Sequence, residues 1–166
     1  MATATKKAPA TRKAPAKKAS SPMDATAMLR ADHKKVSALF DAFENTKSAK
    51  RKKDIVSQIC MELTVHTTLE DEIFYPAVKA ALRDRELVPE ANVEHNAVKD
   101  LIAQVKDVEP DGEMYDARVK VMGEFVKHHV KEEQNEMFPK AKKTKLDMMA
   151  LGARMAQRKA ELMAQG

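Results

Sequence analysis

Apolar residues recur along most of this chain with the three- and four-residue spacing of one helix face. Four such segments occur, at about residues 22–46, 48–83, 89–108 and 112–139. The four stripes are Leu29, His33, Val36, Phe40 and Phe43; Ile59, Leu63, His66, Glu70, Ile73 and Ala77; Ala91, His95, Val98, Ile102 and Val105; and Tyr115, Val119, Met122, Val126, His129 and Glu133. Each stripe contains a histidine. Because the connections are short, the pattern predicts an all-α fold, an antiparallel up-down four-helix bundle.

Local signals predict where the outer helices begin. Ser21, followed by Pro22 and Asp24, is typical of an N-cap and predicts that the first helix starts at residue 22. Thr144 with Asp147 predicts the start of an extra C-terminal helix that runs to about residue 164. The inward face expected for that helix is Leu146, Met149, Ala153, Ala156, Ala160 and Met163. Packing against the bundle is its expected role, and a methionine-rich contact with a partner or a second subunit is the alternative.

Charge divides the chain into segments. Residues 1–22 contain six lysines and arginines, three prolines and no acidic residue, whereas the other 24 basic residues nearly balance the 25 acidic ones. A segment with so little apolar surface cannot bury enough of it to fold. We therefore expect a disordered basic arm at 1–21, the bundle at 22–140, and a linker with the C-terminal helix at 141–166.

Several classes of protein are excluded by composition. No apolar run approaches the roughly 20 residues of a membrane span, and the N-terminal segment lacks both the apolar core of a secretory signal and the amphipathic helix of a transit peptide. The single cysteine, Cys60, excludes an intramolecular disulfide. Its apolar neighbours predict a small buried residue, and a reducing, cytoplasmic location is expected.

The chain contains an internal repeat. Residues 32–39, "DHKKVSAL", match residues 94–101, "EHNAVKDL", and residues 66–76, "HTTLEDEIFYP", match residues 129–139, "HVKEEQNEMFP". The offsets of 62 and 63 residues make helices one and two correspond to helices three and four. The sequence thus predicts two related helical hairpins, each contributing one copy of a motif to a shared centre.

The repeated motif has the chemistry of a metal site. Residues four apart lie on one helix face, so His66 with Glu70, and His129 with Glu133, each project an imidazole and a carboxylate to the same side. A buried glutamate is costly unless it is paired or binds a metal, and mixed ligation of this kind suits iron, manganese or zinc. If both carboxylates bridge two metals, the protein fills eight of roughly twelve coordination positions. The others stay open to water, an oxo or hydroxo bridge, or a diatomic ligand, which indicates a functional site.

Residues beside the expected ligands are predicted to lie at the surface, to support the histidines or to shape the helices. His128 falls on a neighbouring stripe and is expected at the surface or in a supporting position. Asp32 and Glu94 precede the histidines of both halves, either as solvated acids or as acceptors that orient the imidazoles. Pro76 and Pro139 are expected to kink or stop their helices just beyond each glutamate.

The order of His33, "HTTLE", His95 and "HVKEE", with a proline after each glutamate motif, resembles the bacterial hemerythrin-like, or HHE cation-binding, domain over about residues 22–140. The resemblance implies two non-haem irons, with Glu70 and Glu133 as bridging carboxylates. It places His33 and His66 on one iron, and His95 and His129 on the other. At the position of a further histidine of oxygen-carrying hemerythrins this sequence has Lys99. Their second bridging carboxylate also lies one residue further from its histidine than Glu133 does from His129. The loss of a histidine ligand leaves more open coordination than a reversible oxygen carrier has, which argues against simple oxygen transport.

The expected function is that of a di-iron protein that binds or senses oxygen, nitric oxide or peroxide. One alternative is an enzyme that detoxifies peroxide or nitric oxide or handles iron, although no separate nucleophile or general base can be named. The other is a nucleic-acid-associated module, anchored through non-specific contacts of residues 1–20.

Overall fold

The structure is a computed structural model that describes residues 21–165, so the expected disordered arm lies, apart from Ser21, outside the described residues. The helices are α1 (Ala25–Glu44), α2 (Ala49–Leu69), α3 (Tyr75–Leu82), α4 (Leu87–Val105), α5 (Glu113–Glu132), α6 (Phe138–Lys142) and α7 (Met148–Ala164). A π-helical turn at Glu70–Phe74 joins α2 to α3, and a second at Glu133–Met137 joins α5 to α6. Residues 21–165 contain no β-strand.

The helices form the predicted four-helix bundle. α1 packs along α2, α4 packs along α5, and contacts of α1 with α5 and of α2 with α4 close the bundle. The four predicted stripes face inward: all their members are buried except Phe40, Ala77 and Val126, which are half-buried. The spacing of the apolar residues therefore identified the inner face of each bundle helix.

The first and last helices begin later than the sequence signals predicted. The carboxylate of Asp24, rather than Ser21, caps α1 by accepting a hydrogen bond from the Ala27 amide at 2.9 Å. At α7, Asp147 accepts from the Ala150 amide at 2.9 Å. Thr144 instead donates to the Ala141 carbonyl in the preceding turn. A carboxylate is preferred in both places because it accepts a strong hydrogen bond from the free amides of the first turn.

The two prolines do not end their helices. In each half, the helix widens just before the proline: the Tyr75 amide donates to the Glu70 carbonyl, and the Phe138 amide donates to the Glu133 carbonyl, five residues back. A proline lacks the N–H of the regular pattern and crowds the carbonyl four residues before it, so an extra residue in the turn relieves the conflict. Each π-turn begins at the glutamate of the repeated motif.

Helix α7 packs against α1, α2 and the first π-turn, which matches its expected role, but with a different face from the one predicted. Its buried residues are Leu151, Gly152 and Met155, whereas Met149 and Met163 are 50% and 41% exposed. A Cβ atom on Gly152 would lie 2.2 Å from the carbonyl oxygen of Met23, so glycine permits the close approach to α1. Methionine and alanine occur on both sides of α7, and the apolar pattern could not select between them.

The core consists of two apolar clusters. One contains Leu29, Leu69, Phe74 and Phe138, and the other contains Val36, Ile59, Leu63, Val98 and Val119. Along each bundle helix, the motif histidine lies between residues of one cluster and residues of the other. The four histidines therefore form a polar layer across the middle of the bundle. Cys60 is buried in the second cluster, as predicted. Among the described helices, none has a stretch of low polarity long enough to cross a bilayer.

Candidate metal centre

The structure brings all six predicted ligand residues together inside the bundle. These residues are His33, His66, Glu70, His95, His129 and Glu133, and none is more than 6% exposed. Four helical regions supply them, because each histidine occupies the inner stripe of its helix and each glutamate begins a π-turn. They divide into two groups of donors, here called the first and second subsites.

The first subsite contains His33 and His66, whose Nε2 atoms lie 3.1 Å apart. The Nε2 of His66 is 3.1 Å from Oε1 of Glu70, and the Nε2 of His33 is 3.1 Å from Oε2 of Glu133. Two nitrogen and two oxygen donors therefore point at one another across a short gap.

The second subsite repeats this arrangement around His95 and His129, whose Nε2 atoms lie 3.2 Å apart. The Nε2 of His95 is 3.1 Å from Oε2 of Glu70, and the Nε2 of His129 is 3.5 Å from Oε1 of Glu133. Each glutamate thus presents one oxygen to each subsite. The pseudo-two-fold repeat of the sequence is reproduced in the positions of the donor atoms.

Two of these donor atoms have no hydrogen-bond partner. Glu70 Oε1 and Glu133 Oε2 are buried and unsatisfied, and both belong to the first subsite. An unsatisfied carboxylate oxygen is costly in the interior of a protein, and a bound cation removes that cost. His33, His66, Glu70 and Glu133 offer donor atoms within 4.8 Å of one another, as do Glu70, His95 and His129. The residues present therefore fit bound metal.

Tyr75 is a site residue that the sequence analysis missed. Its hydroxyl donates to Glu133 Oε1 at 2.6 Å and lies 3.2 Å from Nε2 of both His95 and His129. It adds an oxygen to the second subsite. In the sequence repeat, Tyr75 aligns with Phe138, and this difference in polarity at the residue before each proline was the available signal.

Four polar side chains hold the outer nitrogens of the histidines. Asp32 lies 3.5 Å from Nδ1 of His66, and Glu94 accepts from Nδ1 of His129 at 2.6 Å. Asp71 accepts from Nδ1 of His95 at 2.8 Å, and Gln134 contacts Nδ1 of His33 at 2.9 Å. These contacts leave each Nε2 facing the centre. Asp32 and Glu94 are therefore orienting residues rather than solvated acids.

Two lysines pair with the orienting carboxylates. Lys159 of α7 donates to Asp32 Oδ1, and Lys99 donates to Asp71 Oδ2 at 2.7 Å. The residue that replaces a histidine of the oxygen carriers thus acts outside the centre, through the aspartate that holds His95. Through Lys159, helix α7 is likewise connected to Asp32 and so to His66 of the first subsite.

The carboxylates shift the titration of the buried imidazoles. Burial alone would lower the pKa of His66, but Glu70 and Asp32 raise it to about 10. Burial also opposes charge on His95, yet Asp71 and Glu70 raise its pKa to about 9. His66 and His95 hold the pKa of Glu70 well below its usual range despite its burial. Burial, followed by Glu70 and Glu133, raises the pKa of Tyr75 well above its usual value, so its hydroxyl remains a donor.

A small cavity adjoins the histidines. It has a volume of about 20 Å³ and is lined by side chains of all four motif histidines and by Val36, Leu63, Val98 and Val126 among others. Such a volume holds about one water-sized molecule. The centre is thus accessible to a very small ligand within a mostly apolar enclosure.

His128 lies at the surface, as expected, with 64% of its side chain exposed. It contacts Glu94 and Glu132 rather than the buried donors. The alignment of residues 66–76 with residues 129–139 therefore selected the histidine that faces inward.

Comparisons with known proteins agree with this fold. The hemerythrin HHE cation binding domain matches residues 24–141. A crystal structure of a hemerythrin HHE cation binding domain-containing protein from Mycobacterium kansasii superimposes with a TM-score of 0.72 over 86% of this chain and 89% of that one, at 23% identity. A DNA nickase of Nostoc sp. is 28% identical over 116 residues, which are 70% of this chain and 33% of the nickase. The matched part of this chain spans about a third of the length of that relative.

The match extends over most of the chain, and it coincides with the helices that carry the two histidine–glutamate motifs. The fold, the shared layer of buried donors and the two unsatisfied carboxylate oxygens are consistent with a cation-binding role. The chain therefore belongs to the hemerythrin HHE cation-binding domain family.

Proposed function

We propose that this protein holds two non-haem irons and uses them to bind or sense oxygen, nitric oxide or peroxide. The observation that supports this most directly is the division of each carboxylate: Glu70 and Glu133 both direct one oxygen to each histidine pair. A carboxylate shared in this way suits two adjacent cations, whereas a single cation would leave half of the donors unused.

His33 and His66 would hold one iron, and His95 and His129 the other, with Glu70 and Glu133 bridging them. Mixed imidazole and carboxylate donors are typical ligands of non-haem iron. When bound, iron supplies redox chemistry and free coordination positions for a small ligand. The protein supplies eight donor bonds in this arrangement, and the hydroxyl of Tyr75 lies beside the second subsite.

The cavity supports a very small ligand. Its volume of about 20 Å³ excludes an organic substrate of ordinary size but accommodates a diatomic molecule or peroxide. Val36, Leu63, Val98 and Val126 form apolar parts of its wall, which limits access of bulk water. The surrounding residues thus restrict what reaches the centre by size and by polarity.

The test is the metal content and visible spectrum of the purified full-length protein, before and after air, nitric oxide and peroxide. We expect about two irons per chain after anaerobic reconstitution with Fe²⁺ and a spectrum that each effective ligand perturbs. A single stoichiometric change with peroxide supports a sensor, whereas oxygen release over many turnovers supports the enzyme alternative. Absence of iron after reconstitution would exclude both.

A second candidate function is favoured by two observations outside the centre. Residues 1–22 carry six cationic and no acidic side chains, and a relative over part of its length is a DNA nickase. In this alternative the bundle is a metal-containing module that the basic segment attaches to nucleic acid. Its test is DNA binding by the full chain and by a chain lacking residues 1–20.

A further inference from the structure

A second group of metal-ligating side chains lies on the surface beside the buried centre. We call Glu94, His128 and Glu132 the outer cluster. The Nε2 of His128 is 3.2 Å from Oε1 of Glu132 and 3.5 Å from Oε1 of Glu94, and the donor atoms of the three residues all lie within 4.8 Å of one another. One imidazole and two carboxylates make a donor set suited to a divalent transition metal.

The corresponding place in the first half of the chain contains one carboxylate and two apolar residues. By the offsets of the repeat, Glu94, His128 and Glu132 correspond to Asp32, Val65 and Leu69. Val65 and Leu69 are 7% and 0% exposed, and they belong to an apolar cluster that includes residues of α7. The outer oxygen of Asp32 is paired with Lys159 of α7. A lysine ammonium thus provides the positive charge in that half.

In the second half, Glu94 is the counterpart of Asp32, but it has no lysine partner among residues 21–165. Among residues 21–165, no lysine or arginine forms an ion pair with Glu94 or Glu132; the ion pairs of both are with histidines. The three side chains open onto a surface depression of about 380 Å³ that is also lined by Pro89, Glu90 and Val93. A third carboxylate, that of Glu90, therefore borders the same space. Hydrated cations have direct access to it.

Glu94 connects the outer cluster to the buried centre. Its Oε1 faces His128, while its Oε2 accepts a hydrogen bond from Nδ1 of His129 at 2.6 Å. The Nε2 of that same His129 is a donor of the second subsite. One carboxylate is thus shared between a solvent-accessible donor set and a buried one.

We propose that the outer cluster binds a divalent first-row transition-metal cation and that this site loads the buried centre. The loading role rests on the proposed function, because it requires that the inner subsites take up iron. Cation binding at the outer cluster does not depend on it. Concentrating the ion at the surface next to His129 increases the rate at which the second subsite is filled, as a negatively lined cleft does for any cationic ligand.

The first experiment measures binding with Zn²⁺, which has no redox chemistry. Full-length wild-type protein of known iron content is equilibrated with Zn²⁺ by dialysis, and total metal per chain is compared with that of His128→Ala and Glu132→Gln. Each variant should bind one ion fewer than wild type. Glu124→Gln, which removes one exposed carboxylate from the same helix outside the cluster, is the matched control and should bind as wild type does. Equal metal counts in wild type and both variants would overturn the outer site.

The second experiment measures the rate of anaerobic Fe²⁺ uptake into metal-free protein at low, stoichiometric iron. His128→Ala should take up iron about tenfold more slowly than wild type or Glu124→Gln and reach the same final content after desalting. An unchanged rate, with the extra Zn²⁺ ion lost, would refute the loading role. Failure of the proposed function gives a different result: no iron is retained by any form, yet the difference of one Zn²⁺ persists.

Discussion

The hydroxyl of Tyr75 donates to Oε1 of Glu133 at 2.6 Å, which joins the first half of the chain to the central carboxylate of the second. The corresponding residue, Phe138, cannot form the reciprocal contact with Glu70. Both residues follow a π-turn directly, and both are buried. The two subsites are therefore chemically unequal, although the repeat that builds them is nearly symmetric.

This asymmetry predicts the effect of Tyr75→Phe. The variant should retain about two irons per chain, because the six main donors remain, but its visible spectrum and its response to peroxide should change. The reason is the loss of the hydrogen bond to one oxygen of Glu133. Metal analysis and absorption spectroscopy check this, with Tyr115→Phe as a control that removes a buried hydroxyl far from the site. Identical spectra for Tyr75→Phe and wild type would show that this hydroxyl does not influence the centre.

Replacing either Glu70 or Glu133, the proposed bridging carboxylates, should remove metal almost completely. In Glu70→Ala or Glu133→Ala, each subsite loses one oxygen donor, so neither retains its donor set. Iron content after reconstitution should fall from about two per chain to near zero. The apo bundle should remain helical by circular dichroism and melt at a lower temperature than the loaded protein, because metal binds only the folded state. Glu136→Gln, an exposed change within the second π-turn, is the control and should load normally.

The two adjacent histidines should differ in their effect on iron. His129→Ala removes a buried donor and should lower the iron retained after desalting, whereas His128→Ala should leave about two irons per chain. The outer cluster has only three donors and lies at the surface, so an ion bound there should be lost on desalting. Iron analysis of both variants in parallel is the measurement. A dispensable His129 with an essential His128 would contradict the ligand set proposed here.

The basic N-terminal segment should bind DNA or RNA without sequence preference. If all six cationic side chains contact phosphates, the logarithm of the affinity should fall with that of the salt concentration with a slope of up to about five. Deleting residues 1–20 should abolish this binding and leave the metal spectrum unchanged. Fluorescence anisotropy at several salt concentrations provides the measurement. Undiminished binding by the truncated chain would contradict this prediction and indicate that other basic residues, such as 140–145, contact the nucleic acid.

The thiol of Cys60 should be unreactive. Burial raises its pKa to about 11, so at neutral pH the reactive thiolate is about a hundredfold scarcer than for a thiol with the ordinary value near 9. Because the folded-state pKa is raised, the thiolate fraction of Cys60 should keep increasing as pH rises from 9 to 11. The thiolate fraction of an ordinary cysteine already levels off in that range. Alkylation by iodoacetamide, followed by mass spectrometry, measures this. Protein unfolded in urea is the control and should react at the ordinary rate.

The sequence by itself determined the bundle and which histidines and glutamates meet at its centre. The spacing of apolar residues identified the inner faces of α1, α2, α4 and α5, because a helix places residues three and four apart on one side whatever it packs against. Histidines on those faces, with a glutamate one turn later in two of them, had to meet inside. The repeat, together with the two prolines, distinguished His129 from His128.

The tertiary structure decided what depends on contacts between distant segments. The inner face of α7 was predicted wrongly because its apolar residues occur on both sides; the close approach of Gly152 to Met23 and the contact of Lys159 with Asp32 select the other face. No pattern along the chain predicted the hydrogen bond between Asp71 and His95. The contact of Tyr75 with Glu133 became visible only when helices from both halves were brought together. The outer cluster required the packing of α4 along α5 within the second half, because donor sets depend on distances that linear spacing does not provide.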